Sequence, residues 1–357
     1  MKNVLISTGG SGGHVIPALT IYDHISKKFK TKISTDKRGL KYIDKTKYKT
    51  FLIDIPNITN SIIKFPLNII KFVFSIFYAF KYLKKNQIDI LISTGGYMSL
   101  PFCLASILNK NKIFLFEPNK VIGRSNKFML RFADRIICYY DDIVNFPTTY
   151  QGRIYKIDYL LRKNFYKINK NQKMISKKLN LLILGGSQGS SFFDKLVISI
   201  VKKIHKQYKI NIVQQISDTK NISFFEEQYK RLEIKYSLFD FNQDIAKKYS
   251  KANIVITRCG ASALAETSFM STPFIAIPFP YAKDNHQLIN AKYFSDLNCC
   301  WLYNQDDKTE KKILDLFKKI TKYNIDYNTK SKNLLKFSYK NNWNNISNKL
   351  IKLIDEN

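Results

Sequence analysis

Apolar and polar positions along the chain follow two rhythms. Short apolar runs, rich in β-branched residues, sit at 3–7, 51–56, 88–93, 112–116, 134–140, 179–184, 210–216, 234–241, 253–258 and 274–278. Runs of this length bounded by turn residues read as buried strands. Many are followed by a small-residue turn and then a stretch with helical spacing, as at 18–29, 101–108, 122–132, 191–205 and 309–323. Strands alternating with helices predict βαβ units and parallel sheets, an α/β fold. The chain is helical again from 330 to its end, with Ile and Leu recurring periodically over 343–354.

Two segments break the alternation. Between 150 and 178 the sequence is polar and Lys-rich with no long periodic run, which reads as a linker between two domains, 1–162 and 163–336. The length of 357 residues suits two domains. The second break, at 61–85, is apolar and aromatic and is edged by Lys64, Lys71, Lys81, Lys84 and Lys85. Its uninterrupted apolar core, 72–80, spans two turns, and a bilayer needs about twenty residues, so no stretch is expected to cross one. The composition is that of an interfacial helix, with Ile62, Ile63, Phe65 and Phe72 as lipid contacts and lysines at the headgroups. The topology also needs a crossover helix here. Both readings hold if one side faces the sheet and the 62–65 end faces lipid.

Composition changes the picture only in part. The net charge is +32, from 59 Lys+Arg against 27 Asp+Glu. Such a balance points to nucleic acid or to an anionic membrane surface. The lysines are spread over every segment, and no basic block, RNP, helix-turn-helix or zinc motif appears, so nucleic acid is not expected as a partner and an anionic membrane surface is. Five cysteines (103, 138, 259, 299, 300) form no Cys-x-x-Cys, which fits a reducing cytoplasm and neither a zinc site nor a disulfide framework. Lys2-Asn3 leads straight into a strand, so no signal peptide is expected.

The chemistry concentrates at strand-to-helix turns. Thr-Gly-Gly-Ser-Gly-Gly-His occupies 8–14, Thr-Gly-Gly-Tyr 94–97, and Gly-Gly-Ser-Gln-Gly 185–189. Glycine lets the backbone approach a phosphate, and the helix N-terminus aims N–H groups at it. A nicotinamide reading of the first turn is possible, with Asp36 as the ribose acid, but the glycines do not fall as G-x-G-x-x-G. Gly10 with Gly95, Gly96 and Tyr97 makes a cup for one diphosphate. A fourth turn, Cys259-Gly260-Ala261-Ser262, opens a helix with Glu266 on its second turn, where a carboxylate can meet a ribose diol while the helix end holds a diphosphate. Past the next strand come Asp284, Asn285, His286, Gln287 and Asn290, at the carboxyl end of a strand, where open α/β sheets bind ligands. His14 closes the first glycine turn, and its ring is either a general base or a hydrogen-bond donor to a phosphate. His24 and His205 lie on helices and are expected at solvent. His286 is expected to shape a sugar pocket. No D-x-D metal motif stands at a strand end, so no metal or other cofactor is expected.

The turn at 259–262, the acid at 266 and the D-x-x-Q-x-x-N-A loop at 284–291 resemble the donor-sugar motif of the GT-B glycosyltransferases. Together with 9–17 and 185–189 they resemble more closely the family of bacterial undecaprenyldiphospho-muramoylpentapeptide β-N-acetylglucosaminyltransferases, glycosyltransferase family 28. Two motifs depart from that family. His-Glu-Gln-Asn becomes Phe116-Glu117-Pro118-Asn119, and Gly-Asn-Pro-x-Arg becomes Asp158-Tyr159-Leu160-Leu161-Arg162. Asn242 stands where the family has an aliphatic residue whose backbone reads the base.

The resemblance implies a GT-B fold, two Rossmann-like doubly wound domains with an interdomain cleft, with 337–357 packing back on the first domain. It implies UDP-N-acetylglucosamine as donor. The donor contacts it implies are Ser11, Gly12, Gly13, Asn119 and Arg162, then Ser187 and Asn242, then Ala261, Ser262, Ala263, Leu264, Ala265 and Glu266, and finally Gln287. An undecaprenyl-linked lipid acceptor would set its diphosphate in the cup of Gly10, Gly95, Gly96 and Tyr97. Transfer would proceed with inversion and without metal, at the cytoplasmic face of the inner membrane, by a peripheral protein. A diacylglycerol glycosyltransferase, a UDP-N-acetylglucosamine epimerase and a non-enzymatic basic scaffold are the rival readings.

Overall fold

Strand β1 (Asn3–Ser7) lies inside a sheet because Val4, Leu5 and Ile6 are shielded from water on both faces. The computed structural model describes residues 1–53, 55, 65–169, 172–187, 189–240 and 244–357. Among these, β1 joins β2 (Lys30–Thr35), β3 (Thr50–Leu52), β4 (Ile90–Ser93), β5 (Lys112–Glu117), β6 (Arg135–Cys138) and β7 (Ile154–Lys156) in the order β3-β2-β1-β4-β5-β6-β7. All neighbours are parallel. The order reverses between β1 and β4, and the two glycine turns follow those two strands.

Helices α1 (Gly12–Ile25), α2 (Phe65–Lys85), α3 (Leu100–Leu108) and α4 (Arg124–Met129) connect the strands. α4 is shorter than the 122–132 run predicts, because a 3₁₀ turn, Leu130–Phe132, takes over its end. β7 falls inside the stretch read from sequence as linker. Three edge residues, pairing Ile154 with Ile136, are too few to leave a period in the sequence.

α2 is longer than its apolar core suggested. Pro66–Lys85 is long and apolar enough, by length and composition, to cross a membrane, which corrects the expectation that no stretch is. Lys71 interrupts the apolar run without ending the helix, since the pattern of a helix lies in its faces. Ser75, Ala79 and Leu83 are buried on one face. Tyr82 packs on Phe51 and Phe102 at 4.0 and 5.9 Å between ring centres. The opposite face leaves Leu67, Ile70, Val73, Phe74, Phe77 and Tyr78 half exposed or more. Of the contacts read for lipid, Ile62, Ile63 and the Phe65 side chain lie outside the described residues. Phe72 is half-buried and stacks on Tyr97 at 5.4 Å, so it belongs to the inner face.

The second sheet contains β8 (Lys178–Leu184), β9 (Lys209–Gln215), β10 (Lys235–Phe239), β11 (Ile254–Thr257), β12 (Phe274–Ala276) and β13 (Cys300–Leu302), ordered β10-β9-β8-β11-β12-β13 and again wholly parallel. Its helices are α5 (Ser191–Ile204), α6 (Ile222–Arg231), α7 (Ile245–Lys251), α8 (Ala261–Phe269), α9 (His286–Asp296), α10 (Thr309–Lys322) and α11 (Ile325–Lys340). Ile183, Val201, Ile212, Ile256, Ile275 and Phe317 meet in its core.

The helical C-terminus is two helices. Asn341 is extended at the end of α11, and α12 (Trp343–Asp355) follows. Two compact units result, Met1–Leu160 with Trp343–Asn357, and Leu161–Asn342. α12 packs on α1, where His24 stacks on Trp343 at 3.7 Å and its Nδ1 lies 2.8 Å from Ser347 Oγ. His24 is therefore buried and not at solvent, because a helix more than 300 residues away in sequence covers it.

Candidate functional site

In the first unit the two glycine turns stand side by side where the strand order reverses. Thr8 and Thr94, which begin them, share a hydroxyl hydrogen bond of 2.8 Å. Asp36, at the end of β2, organises the first turn. Its Oδ1 accepts from the Gly10 and Gly39 amides at 2.7 and 3.0 Å, and its Oδ2 accepts from Arg38 Nε at 2.9 Å. Burial alone would raise this carboxyl. The Gly10 and Gly39 donors and Arg38 outweigh it and hold the group below the usual carboxylate range. Its oxygens are committed to the loop, which removes the ribose-binding role of a nicotinamide reading.

His14 sits in the first turn of α1. Its Nδ1 is 2.8 Å from the Thr94 carbonyl. A carbonyl only accepts, so Nδ1 carries the hydrogen and the neutral ring keeps its lone pair on Nε2. That nitrogen faces Gly96, where a Cβ would lie 3.2 Å from it. Gly96 has φ +79°, so glycine is required there both for the turn and to leave Nε2 uncovered. Tyr97 Oη is buried with no hydrogen-bond partner among the described residues.

Glu117 is a buried hub at the end of β5. Oε1 accepts from Asn119 N and Nδ2 at 3.1 and 2.9 Å, and Oε2 accepts from Gly123 N and Asn126 Nδ2 at 2.7 and 2.9 Å. Asn119 is thus tied to its own loop. Asn126, which sequence reasoning missed, is buried with Nδ2 3.4 Å from the point a Gly95 Cβ would occupy. A lone Asn on a helical run carries no signal until the fold sets it against a glycine turn.

In the second unit the turns after β8 and β11 flank the point where the strand order reverses. Gly189 has φ +71°, and a Cβ there would lie 2.4 Å from Ser217 Cα, so only glycine fits. Gln188 lies outside the described residues, and Ser187 sits in the turn, half-buried. Arg258 was also missed. Its guanidinium is buried and donates to Ser190 Oγ at 2.9 Å, Gln305 Oε1 at 2.6 Å and the Ile277 and Pro278 carbonyls at 3.2 Å. It thereby joins the ends of β11 and β12 to the start of α5, and burial lowers its pKa to about 10.

Gly260 caps α8, and Ala261, Ser262 and Ala263 form its first turn, half-buried. The side chains of Leu264 and Ala265 are buried, so only their backbone can reach a ligand. Glu266 meets Arg162, Nη2 to Oε1, at 2.7 Å, with the side chains 12 % and 19 % exposed. Burial raises the Glu266 carboxyl above its usual range, against the opposing pull of Arg162. Gln287 Oε1 accepts from the Cys259 and Phe279 amides at 3.1 and 3.0 Å. Its orientation is therefore set, and its Nε2 is left to donate. Asn290 Nδ2 donates to the Cys259 carbonyl at 3.2 Å, fastening α9 to the turn. Asn242 lies outside the described residues. Among the described residues no group of three His, Cys, Asp or Glu could hold a metal ion.

Residues 4–138 match the family model described as "Glycosyltransferase family 28 N-terminal domain", and residues 180–345 match "Glycosyltransferase family 28 C-terminal domain". A protein of Pelagibacter ubique named UDP-N-acetylglucosamine–N-acetylmuramyl-(pentapeptide) pyrophosphoryl-undecaprenol N-acetylglucosamine transferase is 44% identical over 100% of this chain and 99% of its own. A protein of Rickettsia bellii with the same name is 32% identical over 94% of this chain and 95% of its own. The crystal structure of Acinetobacter baumannii MurG superposes with a TM-score of 0.76 at 22% identity, covering 100% of both chains, a likeness of fold.

Proposed function

The chain belongs to glycosyltransferase family 28, and from that membership we propose that it transfers N-acetylglucosamine from UDP-N-acetylglucosamine to muramoyl-pentapeptide-diphosphoundecaprenol. The observation that carries the reading is the pair of strand–glycine–helix turns in each unit, at the point where each sheet reverses its strand order. This reaction has two diphosphates to hold, one on the donor and one on the lipid acceptor. An epimerase has one.

The donor diphosphate lies at the N-termini of α5 and α8, where the positive ends of the helix dipoles and free N–H groups stabilise its negative charge. Glu266 Oε2 accepts from the ribose hydroxyls while Oε1 stays on Arg162. Gln287 Nε2 donates to the sugar hydroxyl edge. The acceptor diphosphate lies in the cup of Gly10, Gly95, Gly96 and Tyr97. The acceptor sugar's hydroxyl oxygen attacks the anomeric carbon, and its proton passes to His14 Nε2. The bond from that carbon to the β-phosphate oxygen breaks, and UDP departs with the electron pair, so the anomeric centre inverts.

The outward face of α2, with Lys71, Lys81, Lys84 and Lys85 beside it, seats the protein on an anionic membrane surface at the cytoplasmic face of the inner membrane. The inner face of α2 packs on α3, and α2 joins two strands of one sheet, which favours lying on the bilayer over crossing it.

Purified protein with labelled UDP-N-acetylglucosamine should label the muramoyl-pentapeptide lipid, and neither diacylglycerol nor the bare prenyl phosphate. Label on diacylglycerol, or epimerised UDP-sugar without any acceptor, would overturn the reading.

A further inference from the structure

Arg38 has so far only a supporting part, holding the Asp36 that organises the first glycine turn. Its Nε is held 2.9 Å from Asp36 Oδ2, and its Nη2 rests 3.1 Å from Met98 Sδ. The same Nη2 lies 3.9 Å from where a Gly10 Cβ would be. Asp36 in turn grips the Gly10 and Gly39 amides. Guanidinium, carboxylate and glycine turn thus form one hydrogen-bonded assembly. Nη1 has no partner among the described residues, and the side chain is 55% exposed. A long surface arginine ordinarily loses rotamer freedom on binding a ligand. This one is already held by Asp36 and Met98, with Nη1 left to donate.

We propose that Arg38 contacts the acceptor's diphosphate, forming the rim of the cup on the Gly10 side. The proposal rests on the reading that the first unit holds that diphosphate. Three features select phosphate. The planar fork matches phosphate oxygens. α1 begins directly after the same turn, and the leading N–H groups of a helix have no intrahelical acceptor. Asp36 satisfies the Gly10 amide, so the loop is held in shape without the ligand and the anion meets a preformed seat. A carboxylate of the peptide stem is the other anion with this chemistry, and the experiment separates the two.

The full chain, Arg38→Met and Arg38→Lys are compared on two short-prenyl diphospho-muramoyl acceptors, one with its peptide stem and one without. Methionine keeps the packing against Met98 and lacks the charge. Arg38→Met should raise the acceptor KM roughly ten- to hundredfold on both acceptors, as for loss of a hydrogen bond to a charged group. The donor KM should stay within about twofold of the parent. Arg38→Lys should recover only part, since a point charge replaces a fork. The parent's acceptor KM should rise more steeply with salt than that of Arg38→Met, a difference that a purely structural role would not produce. An unchanged acceptor KM in an active parent background overturns the proposal and leaves the function standing. So does a loss confined to the peptide-bearing acceptor, or an equal rise in both KM values. A parent that labels neither acceptor overturns the functional reading, and this proposal with it.

Discussion

Arg162 Nη2 and Glu266 Oε1 meet at 2.7 Å across 104 residues of sequence, and among the described residues Oε2 of Glu266 takes no second partner. One oxygen is fixed and the other is left for a ligand, so the pair presents a carboxylate at a set angle. Burial raises the Glu266 carboxyl and Arg162 opposes the rise. Arg162→Met removes the opposition, so Glu266 should take up a proton at higher pH than in the parent. The donor KM of Arg162→Met should then climb with falling pH sooner than the parent's. Parallel pH profiles of donor KM would show that Arg162 does not hold the charge on Glu266.

Gln287 and Glu266 should separate in a donor comparison. Gln287→Ala removes the amide that reads the sugar edge and should weaken N-acetylglucosamine transfer by about 1–3 kcal/mol. The N-acetylgalactosamine donor, which differs in the direction of O4, should lose less, so the two kcat/KM values converge. Glu266→Ala should lower both alike, since the ribose is common to them. A discrimination ratio unmoved by Gln287→Ala would shift sugar reading to other groups.

His14→Ala should fold and bind donor, because the ring's one hydrogen bond among the described residues is to Thr94 O. Its kcat should fall about 10²–10⁴-fold. A fall below about tenfold with an unchanged pH profile would leave His14 as a phosphate contact.

His24 should make the first unit acid-sensitive. Burial lowers its pKa from 6.5 to about 3. The unfolded chain takes up a proton as pH falls through about 6.5 while the folded chain does not. The stability is therefore complete above 6.5 and declines down to about 3, by about 1.4 kcal/mol per pH unit. His24→Phe keeps a ring against Trp343 and removes the titration. Urea unfolding at pH 7, 6 and 5 should show a shallower decline for the variant, and equal slopes would clear His24.

Phe74→Glu with Phe77→Glu should release the protein from anionic liposomes. Both side chains are half exposed or more on the outer face of α2, so the fold and donor binding should survive. Continued flotation at moderate salt would mean that another surface holds the membrane.

The sequence alone determined the βα units around the glycine turns, because turn stereochemistry and strand and helix periods act over a few residues. Helical spacing likewise put Glu266 on the second turn of its helix, and Asp284 to Asn290 past a strand end. The tertiary structure decided what depends on groups far apart in sequence. Arg162 reaches Glu266, and Trp343 covers His24, which by its helix alone looked solvent-facing. Asp36 is committed to a loop, and the Gln287 amide is turned by two backbone N–H groups. α2 shows the limit most directly. Its residues are apolar nearly all round, so no polar stripe marks which face is outward. Only packing against Tyr97, Phe51 and Phe102 turned Phe72 and Tyr82 inward and left Phe74 and Phe77 exposed. Burial against distant chain is a property of the fold, and periodicity within one segment cannot report it.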